Sequence, residues 1–589
     1  MANRYIQDLK RLVGNDQVVM AAVAVVVGGA AAGGAILFRE AIDFLQLLFL
    51  GFRSDRVATF AAEMEWWRLI LAPVIGGLLV GLFCKYVMPG GRPQGVANVI
   101  ESSALRVGRM SMRQGLGAAV ISATSIGCGA SVGREGPAVH LGASLASFLG
   151  RQLNLTRSQA RTLLGCGVAS AVAASFNAPI AGVFFALEVV IGHYALSAFA
   201  PIVIASVFGT ILSRIWFGDF PAFEVPGHQI TSFLEFPAFV ILGGVCAVAA
   251  IALMRVAAFV EVQGQRLPLP RWLHPALAGL VVGVVALEFP EILGVGYEAM
   301  DGALNEAEGY GLELMLTLAV LKILMTALCL GAGFGGGVFS PSLFIGAMIG
   351  GAYGIVAAIP FPDLASGHGA YTLIAMGAVA AATLGAPIST ILMIFEMTGD
   401  YKLTVGVMIA VVIASVITRV WHSPSFFTDQ LRRRGVHIHG GHDVTALRNL
   451  KVHDLMQQDH VSVKMDAGLD SLRNRLRLAP MNELFVIDSD EKLVGTITLA
   501  DLGEVAFDLS HDREYTAIDL ARKHPPFLEL GDDVEKAIRR FSEAEEGLLA
   551  VVDSAARMRL IGCLHERDVM RAYNQALITQ QAEEHGETI

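Results

Sequence analysis

Apolar runs long enough to cross or nearly cross a bilayer recur along this chain, at residues 18–38, 69–84, 196–212, 236–254, 314–331 and 403–417. In a hydrocarbon core every backbone N–H and C=O must find its partner within the chain, so runs of this length are read as spanning helices. Several of them are interrupted by glycine. The chain as a whole is 54% hydrophobic and only 16% charged over 589 residues, a balance that ordinary soluble domains do not have. The expected fold class is therefore an all-α polytopic membrane unit. The first run follows Arg4, Lys10 and Arg11 without a small-residue cleavage pattern, which reads as a first spanning helix and not as a removed signal peptide. A net charge of -10 is low for the length and argues against a nucleic-acid partner. The six cysteines are scattered without a CxxC pair and are read as small packing residues, not as disulfides or metal ligands.

A basic cluster, Leu431-Arg432-Arg433-Arg434-Gly435, ends the apolar part, and charged residues become frequent after it. The domains expected are a membrane domain at 1–435, a linker at 436–448, two small units at 449–508 and 515–577, and a tail at 578–589. Basic residues at the amino terminus and at this boundary place both ends on the cytoplasmic side, with an even number of crossings.

The membrane part repeats internally. Asn177-Ala178-Pro179-Ile180 through Glu188 is echoed by Gly385-Ala386-Pro387-Ile388 through Glu396, a shift of 385 - 177 = 208. Pro137 followed by Gly142-Ala143 is echoed by Pro341 followed by Gly346-Ala347, a shift of 341 - 137 = 204. Duplicated apolar segments interrupted by glycine and proline mark transport proteins, with the binding site at the interruptions. Two loops carry the chemistry: Gly133-Arg134-Glu135-Gly136-Pro137 and Gly335-Gly336-Gly337-Val338-Phe339-Ser340-Pro341 place glycines ahead of a proline suited to a helix's first turn. Backbone N–H groups at such helix starts can replace an anion's water without trapping the ion as a buried lysine would. Among these donors Glu135 can occupy an anion position when ionised and vacate it when protonated or swung aside, which makes it the candidate gate. The bland alternative for Glu135 is a surface ion pair with Arg134.

These residues resemble the CLC family of chloride channels and proton/chloride antiporters. Gly133-Arg134-Glu135-Gly136-Pro137 is similar to its GREGP gate motif, Gly337-Val338-Phe339-Ser340-Pro341 to its GxFxP anion-binding motif, and Asn177-Ala178-Pro179 with Glu188 and Phe395-Glu396-Met397-Thr398 to its following helices. The resemblance runs to about Gly435. It implies the CLC fold of inverted repeats and broken helices, and a homodimer with one pore per subunit. It also implies anion contacts from the backbone of Val338 and Phe339 centrally and of Arg134, Glu135, Gly136 and Ser340 towards the outside.

Three positions depart from the family pattern. Gln94 stands where a serine hydroxyl usually faces the central anion; its amide can donate to an anion or turn to a loop neighbour. Phe427 stands where a tyrosine usually completes the site, and its ring can narrow the pathway but not donate. Val189 stands where many exchangers carry an internal glutamate that relays protons, so the proton-relay position is lost. Glu188 and Glu396 are expected to cap or brace helices near the cytoplasmic face. His140 and His193 are read as hydrogen-bonded packing residues, with a pH-sensing role as the alternative.

The tail repeats as well: Val486-Ile487-Asp488, Gly495 and Asp501 are matched by Val551-Val552-Asp553, Gly562 and Asp568, which reads as a pair of small α/β modules. Gly495-Thr496-Ile497-Thr498-Leu499-Ala500-Asp501 resembles the nucleotide-facing signature of CBS domains, which implies that Thr498 touches phosphate and that Asp501 and Asp568 hold ribose hydroxyls of an adenine nucleotide (ATP, ADP or AMP). The second unit has His565 in place of threonine, and a purely structural pair stays open. Glu545, Glu546, Glu583 and Glu584 are read as solvated charges.

The expected function is transport of chloride across the plasma membrane through a glutamate-gated pore, read as a passive voltage- or pH-gated channel with nucleotide regulation by the CBS pair and alternatively as a proton-coupled antiporter, with lipid, chloride and protons as partners, no required cofactor and no metal. No nucleophile with a base, metal cluster or phosphate-binding lysine loop suggests an enzyme. A membrane-anchored nucleotide sensor remains a distant alternative, and a fluoride exporter is disfavoured because Pro137 follows Gly136.

Overall fold

The computed structural model describes residues 16–105, 108–153, 155–194, 196–218, 233–307, 309–360, 366–436, 450–503, 515–544 and 546–585. The basic residues Arg4, Lys10 and Arg11, nearly all of the linker expected at 436–448, and Glu545 lie outside them; the side chains of Glu583 and Glu584 are likewise not described. The chain forms two compact units, Met1–Ile438 and His439–Ile589.

The first unit is helical. Seven described helices are long and apolar enough to cross a membrane: Val18–Phe49, Trp66–Val87, Ser197–Phe217, Phe236–Arg266, Leu312–Ala332, Phe339–Ala358 and Tyr401–Arg433. Four shorter apolar helices accompany them: Pro179–Ile191, Arg271–Val285, His368–Leu384 and Pro387–Thr398. Phe339–Ala358 was passed over by the apolar-run reading because its glycines and serines dilute the run.

Those small residues set the packing. A Cβ added to Gly142 would stand 2.5 Å from Gly167 O of the adjoining helix, and one on Gly346 would stand 2.5 Å from Ala375 O. The two contacts are equivalent under the echoes, Gly346 lying 204 residues after Gly142 and Ala375 208 after Gly167, so each half brings a pair of helices to backbone contact by the same device. The halves also share a helix break. Arg157–Phe176 ends at Asn177 (φ 58) and His368–Leu384 at Gly385 (φ 69), both left-handed, and Pro179 and Pro387 then open the next helices. Glycine and asparagine are the residues that reach that conformation at least cost, and proline at the first helical position loses no hydrogen bond.

The second unit holds two sheets. β1 (Ser462–Lys464) runs parallel to β2 (Glu483–Ile487), β2 pairs antiparallel with β3 (Leu493–Thr498), and β4 (Arg522–Lys523) joins the β3 edge. β5 (Phe527–Glu529) runs parallel to β6 (Leu548–Val552), which pairs antiparallel with β7 (Leu560–His565). Each hairpin runs into a helix carrying the repeated aspartate, at Leu499–Leu502 and Glu566–His585, as the sequence echo predicts. The sequence reading missed the parallel strand and helix ahead of each hairpin, with the helices at Leu469–Leu476 and Val534–Ala544. Phe485, Leu548 and Cys563 share one apolar cluster, so the two modules pack through it as one body.

Candidate functional site

Both glycine loops deliver helix starts to one place. The helices Glu135–Gln152 and Phe339–Ala358 begin with Arg134 and Val338 as their caps, and Pro137 and Pro341 fall in their first turns. A helix start leaves its first N–H groups without an acceptor in the helix. Those of Val338, Phe339 and Ser340 meet no protein acceptor among the described residues. The loops are tied to each other by a two-bond bridge: Gly133 N–H donates to Gly337 O at 2.8 Å and Gly337 N–H donates to Gly133 O at 2.7 Å. A Cβ on Gly136 would lie 3.1 Å from Gly337 Cα, so only glycines allow this approach without displacement.

Beneath this bridge lies a cavity of about 480 Å³, lined by Gln94, Gly136, Gly337, Val338 and Phe427. Lys85, Arg92, Arg271, Arg433 and Arg434 also line it, against a single carboxylate, Glu261. A concave site with one sign of charge in excess concentrates the opposite ion. The Gln94 amide makes no hydrogen bond to a loop neighbour among the described residues, which leaves it available to the cavity. Phe427 packs edge-on against Phe426, with ring centroids 6.1 Å apart, and its ring forms part of the wall. On the other side, a small crevice is lined by Arg39, Arg134 and Ala138.

Glu135 stands between the two. Gly136 lines the cavity and Arg134 the crevice, while Glu135 itself lines neither and is 1% exposed. Its Oε1 accepts from the Tyr297 hydroxyl at 2.8 Å, and its Oε2 is hydrogen-bonded by the Ser340 hydroxyl. Arg134 Nε is 3.8 Å from Oε1, and its guanidinium lies over the Tyr297 ring at 4.7 Å. The pair is buried, so a surface ion pair is excluded. Ser340 contacts Glu135 rather than lining the cavity, and the Phe339 ring is drawn away to pack on Phe176 at 4.8 Å.

Tyr297 and Lys322 are the residues the sequence reading missed. Tyr297 opens the helix Tyr297–Leu304 directly after Gly296 (φ 86). Lys322 is fully buried; its ammonium donates to Ile292 O at 3.0 Å and Gly294 O at 2.9 Å and lies 4.7 Å from the Phe344 ring centroid. It thereby ties down the segment that carries Tyr297. The signal was available: Lys322 is the one cation in the Leu312–Ala332 helix, and an ionisable residue in an apolar span is a functional candidate by default.

The echoed carboxylates are helix caps, each for the other half. Glu188 accepts from Ile388 N at 3.0 Å and Ser389 N at 2.9 Å, and Glu396 accepts from Ile180 N and Ala181 N, both at 2.8 Å. Capping is as expected, but the expectation that both sit near one face is corrected. Each glutamate ends its own helix and meets the start of the other, so the helices run antiparallel and the caps lie at opposite ends. Val189 follows within a π-helical turn, Ala186–Ile191, and is partly buried on the core. His140 is fully buried, but neither ring nitrogen has a hydrogen-bond partner among the described residues, which corrects the expected hydrogen-bonded role.

In the tail, Asp501 is the third residue of a capping box, accepting from Thr498 N at 2.8 Å and Thr498 Oγ1 at 2.7 Å, and it also receives Arg522 Nε at 2.7 Å. Burial raises its carboxyl, but the Thr498 bonds and Arg522 outweigh burial and hold it below the ordinary value. Arg522 also reaches Glu546 at 3.3 Å, so Glu546 is an ion-pair partner and not a solvated charge. Asp568 accepts from Gln457 Nε2 at 2.5 Å.

The comparisons with known proteins agree with this geometry. Residues 76–419 match the family model described as voltage gated chloride channel, and residues 452–506 and 517–575 match the CBS domain. A ClcB-like protein of Ralstonia nicotianae is 34% identical over 418 residues, covering 70% of this chain and 97% of that protein. Among solved structures, a slow cyanobacterial Cl-/H+ antiporter superposes with a TM-score of 0.64 at 23% identity, covering 70% of this chain and 97% of the other. A eukaryotic CLC transporter superposes with a TM-score of 0.62 at 19% identity, covering 93% and 97%. At those identities the superpositions speak for the fold, the all-α CLC architecture followed by α/β CBS modules. With the family model spanning more than half of its length and a relative aligned over nearly all of its own, this multi-pass membrane chain belongs to the voltage-gated chloride channel family and carries a CBS pair behind its membrane unit.

Proposed function

We propose that this protein carries chloride across a membrane along the path from the basic cavity to the Arg134 crevice, and that the Glu135 side chain closes that path in the arrangement described here. The observation that carries the proposal is the position of Glu135, buried between a neighbour that lines the basic cavity and a neighbour that lines the Arg134 crevice, and held there by Tyr297 and Ser340. Its carboxylate is held against Ser340 in the first turn of the Phe339–Ala358 helix, and helix-start N–H groups suit an anion, so moving or protonating the carboxylate would free the place for chloride.

The channel reading is preferred to the proton-coupled antiporter. Val189 cannot carry a proton, and the neighbouring Glu188 is committed to two backbone N–H groups. Reversal potentials in reconstituted bilayers under opposed chloride and proton gradients decide between them. A potential that stays at the chloride value under every pH gradient is the channel result; one that moves with the pH gradient makes the protein an antiporter.

The reading extends to a homodimer with one pore per subunit in the plasma membrane, both termini cytoplasmic, acting as a transporter without enzymatic chemistry or a required cofactor. For the tail, an adenine nucleotide is the proposed ligand of the Thr498 and Asp501 half, where its ribose takes Asp501 from Arg522. Titration calorimetry with ATP tests this, and the absence of both heat and thermal shift counts against it.

A further inference from the structure

The two halves of the tail are related by a shift of 568 - 501 = 67 residues, but their clefts differ in charge. In the first half, β4 lies beside β3 with Arg522 opposite Thr496, and its guanidinium neutralises Asp501 and Glu546. In the second half the position equivalent to Thr496 is Cys563, and the residue paired with it across a two-bond bridge is Gln457. The guanidinium is thus replaced by an uncharged amide, which reaches Asp568.

Among the described residues no cation occupies the place that Arg522 fills in the first half. Asp459, two residues beyond Gln457, comes together with Cys563 and His565, which alternate along β7 and so share one face. The carboxylate oxygen, thiol sulfur and imidazole nitrogen all lie within 4.8 Å of one another; Cys563 is fully buried and His565 is 8% exposed. Arg567 reaches Asp568 at 3.8 Å, but its side chain is 76% exposed. Oxygen, sulfur and nitrogen donors from three side chains thus converge on one half-buried point, the kind of donor set that holds a divalent cation.

We propose that the tail of this protein binds one divalent cation of the zinc class through Asp459, Cys563 and His565. Thiolate and imidazole ligands select zinc over magnesium or calcium, and three protein ligands leave a fourth tetrahedral position open. Binding displaces the Cys563 proton to solvent, because the thiolate is the form that ligates the metal. Cys563 is then a ligand and not the inert packing residue its isolated place in the sequence suggests.

The test uses the full-length protein in detergent, without a polyhistidine tag, dialysed against Zn²⁺ and separately against Co²⁺. One metal per chain and a thiolate-to-cobalt charge-transfer band are expected. Cys563→Ser should abolish the band, and His565→Gln and Asp459→Asn should each weaken Zn²⁺ binding by about tenfold or more. Absence of stoichiometric metal, cobalt bound without a thiolate band, or Zn²⁺ binding unchanged in all three variants would overturn the proposal. Should Cys563→Ser fail to fold, the cobalt spectrum of the unaltered protein still decides, and Asp459→Asn, at an exposed residue, serves as the folded control.

Discussion

The Tyr297 hydroxyl donates to Glu135 Oε1 at 2.8 Å, so the side chain proposed as the gate is held by a residue 162 positions later in the chain. A hydrogen bond to a charged acceptor contributes about 1.5–3 kcal/mol. In Tyr297→Phe the closed arrangement loses that bond while the ring stays. Chloride efflux from liposomes at neutral pH should rise roughly tenfold or more, since about 1.4 kcal/mol is tenfold in an equilibrium. Efflux at or below the unaltered rate would show that Tyr297 does not hold the gate.

Replacing the gate itself should have a different signature. Glu135→Gln keeps the size and removes the charge and its titration, so efflux should be constitutive and flat with pH. If the variant retained the pH dependence of the unaltered protein, another group would be the gate.

Lys322→Met leaves Ile292 O and Gly294 O without their ammonium donor and frees the segment leading to Tyr297. A buried carbonyl left without its donor costs about 1–3 kcal/mol. The thermal midpoint in detergent should fall, and the residual folded protein should show the raised efflux of Tyr297→Phe. Combining the two substitutions should then raise efflux little beyond either alone, because they act through one contact.

Glu188→Gln and Glu396→Gln should destabilise by similar amounts, about 1–3 kcal/mol each, because each removes a charge from a helix start that it caps through two backbone N–H groups. Lying at opposite ends of the helix pair, they should be additive in the double variant, as measured by thermal unfolding. Coupling well above about 0.5 kcal/mol would contradict that separation.

Asp501 contributes stability with a defined pH sign. Its folded carboxyl lies below the ordinary value of 3.8, so the contribution is present above that value and is lost as pH falls through the folded pKa. In Asp501→Ala, hydrogen exchange of the Thr498–Leu502 amides in the full chain should quicken on the order of tenfold at pH 7, the cost of about 1 kcal/mol expected for a lost cap. The difference from the unaltered protein should shrink towards acid. A difference that grew below pH 4 would give the opposite sign.

Periodicity and local motifs made most elements legible: apolar runs marked six of the seven long described helices, the 204- and 208-residue echoes marked the duplication, and Gly133 to Pro137 singled out the proposed gate. The contacts across the duplication were not legible. Nothing in the local pattern says that Glu188 reaches Ile388, or that Gly133 pairs with Gly337, because both depend on how two halves meet in space. The glutamates looked alike in sequence and were therefore placed on one side, whereas antiparallel packing separates them. Tyr297 was hidden for a related reason: an aromatic residue after two glycines has no periodic signature, and its role exists only where Glu135 is brought to it. Asp501 carried a family expectation of ribose binding, and its partners, Thr498 and Arg522, follow from a capping box and a strand pairing that the signature alone does not show.

The bonds between the halves join each position to the counterpart of its own partner: Gly133 with Gly337, Glu188 with the start of the second helix, Glu396 with the start of the first. Such self-complementary exchange is what two identical subunits make across a two-fold axis. A progenitor of half this length could have closed its glycine bridge and capped its helices only by meeting a second copy inserted the other way up in the bilayer. The proposed gate breaks that symmetry: the first loop carries Glu135 where its counterpart, 204 residues on, is Phe339.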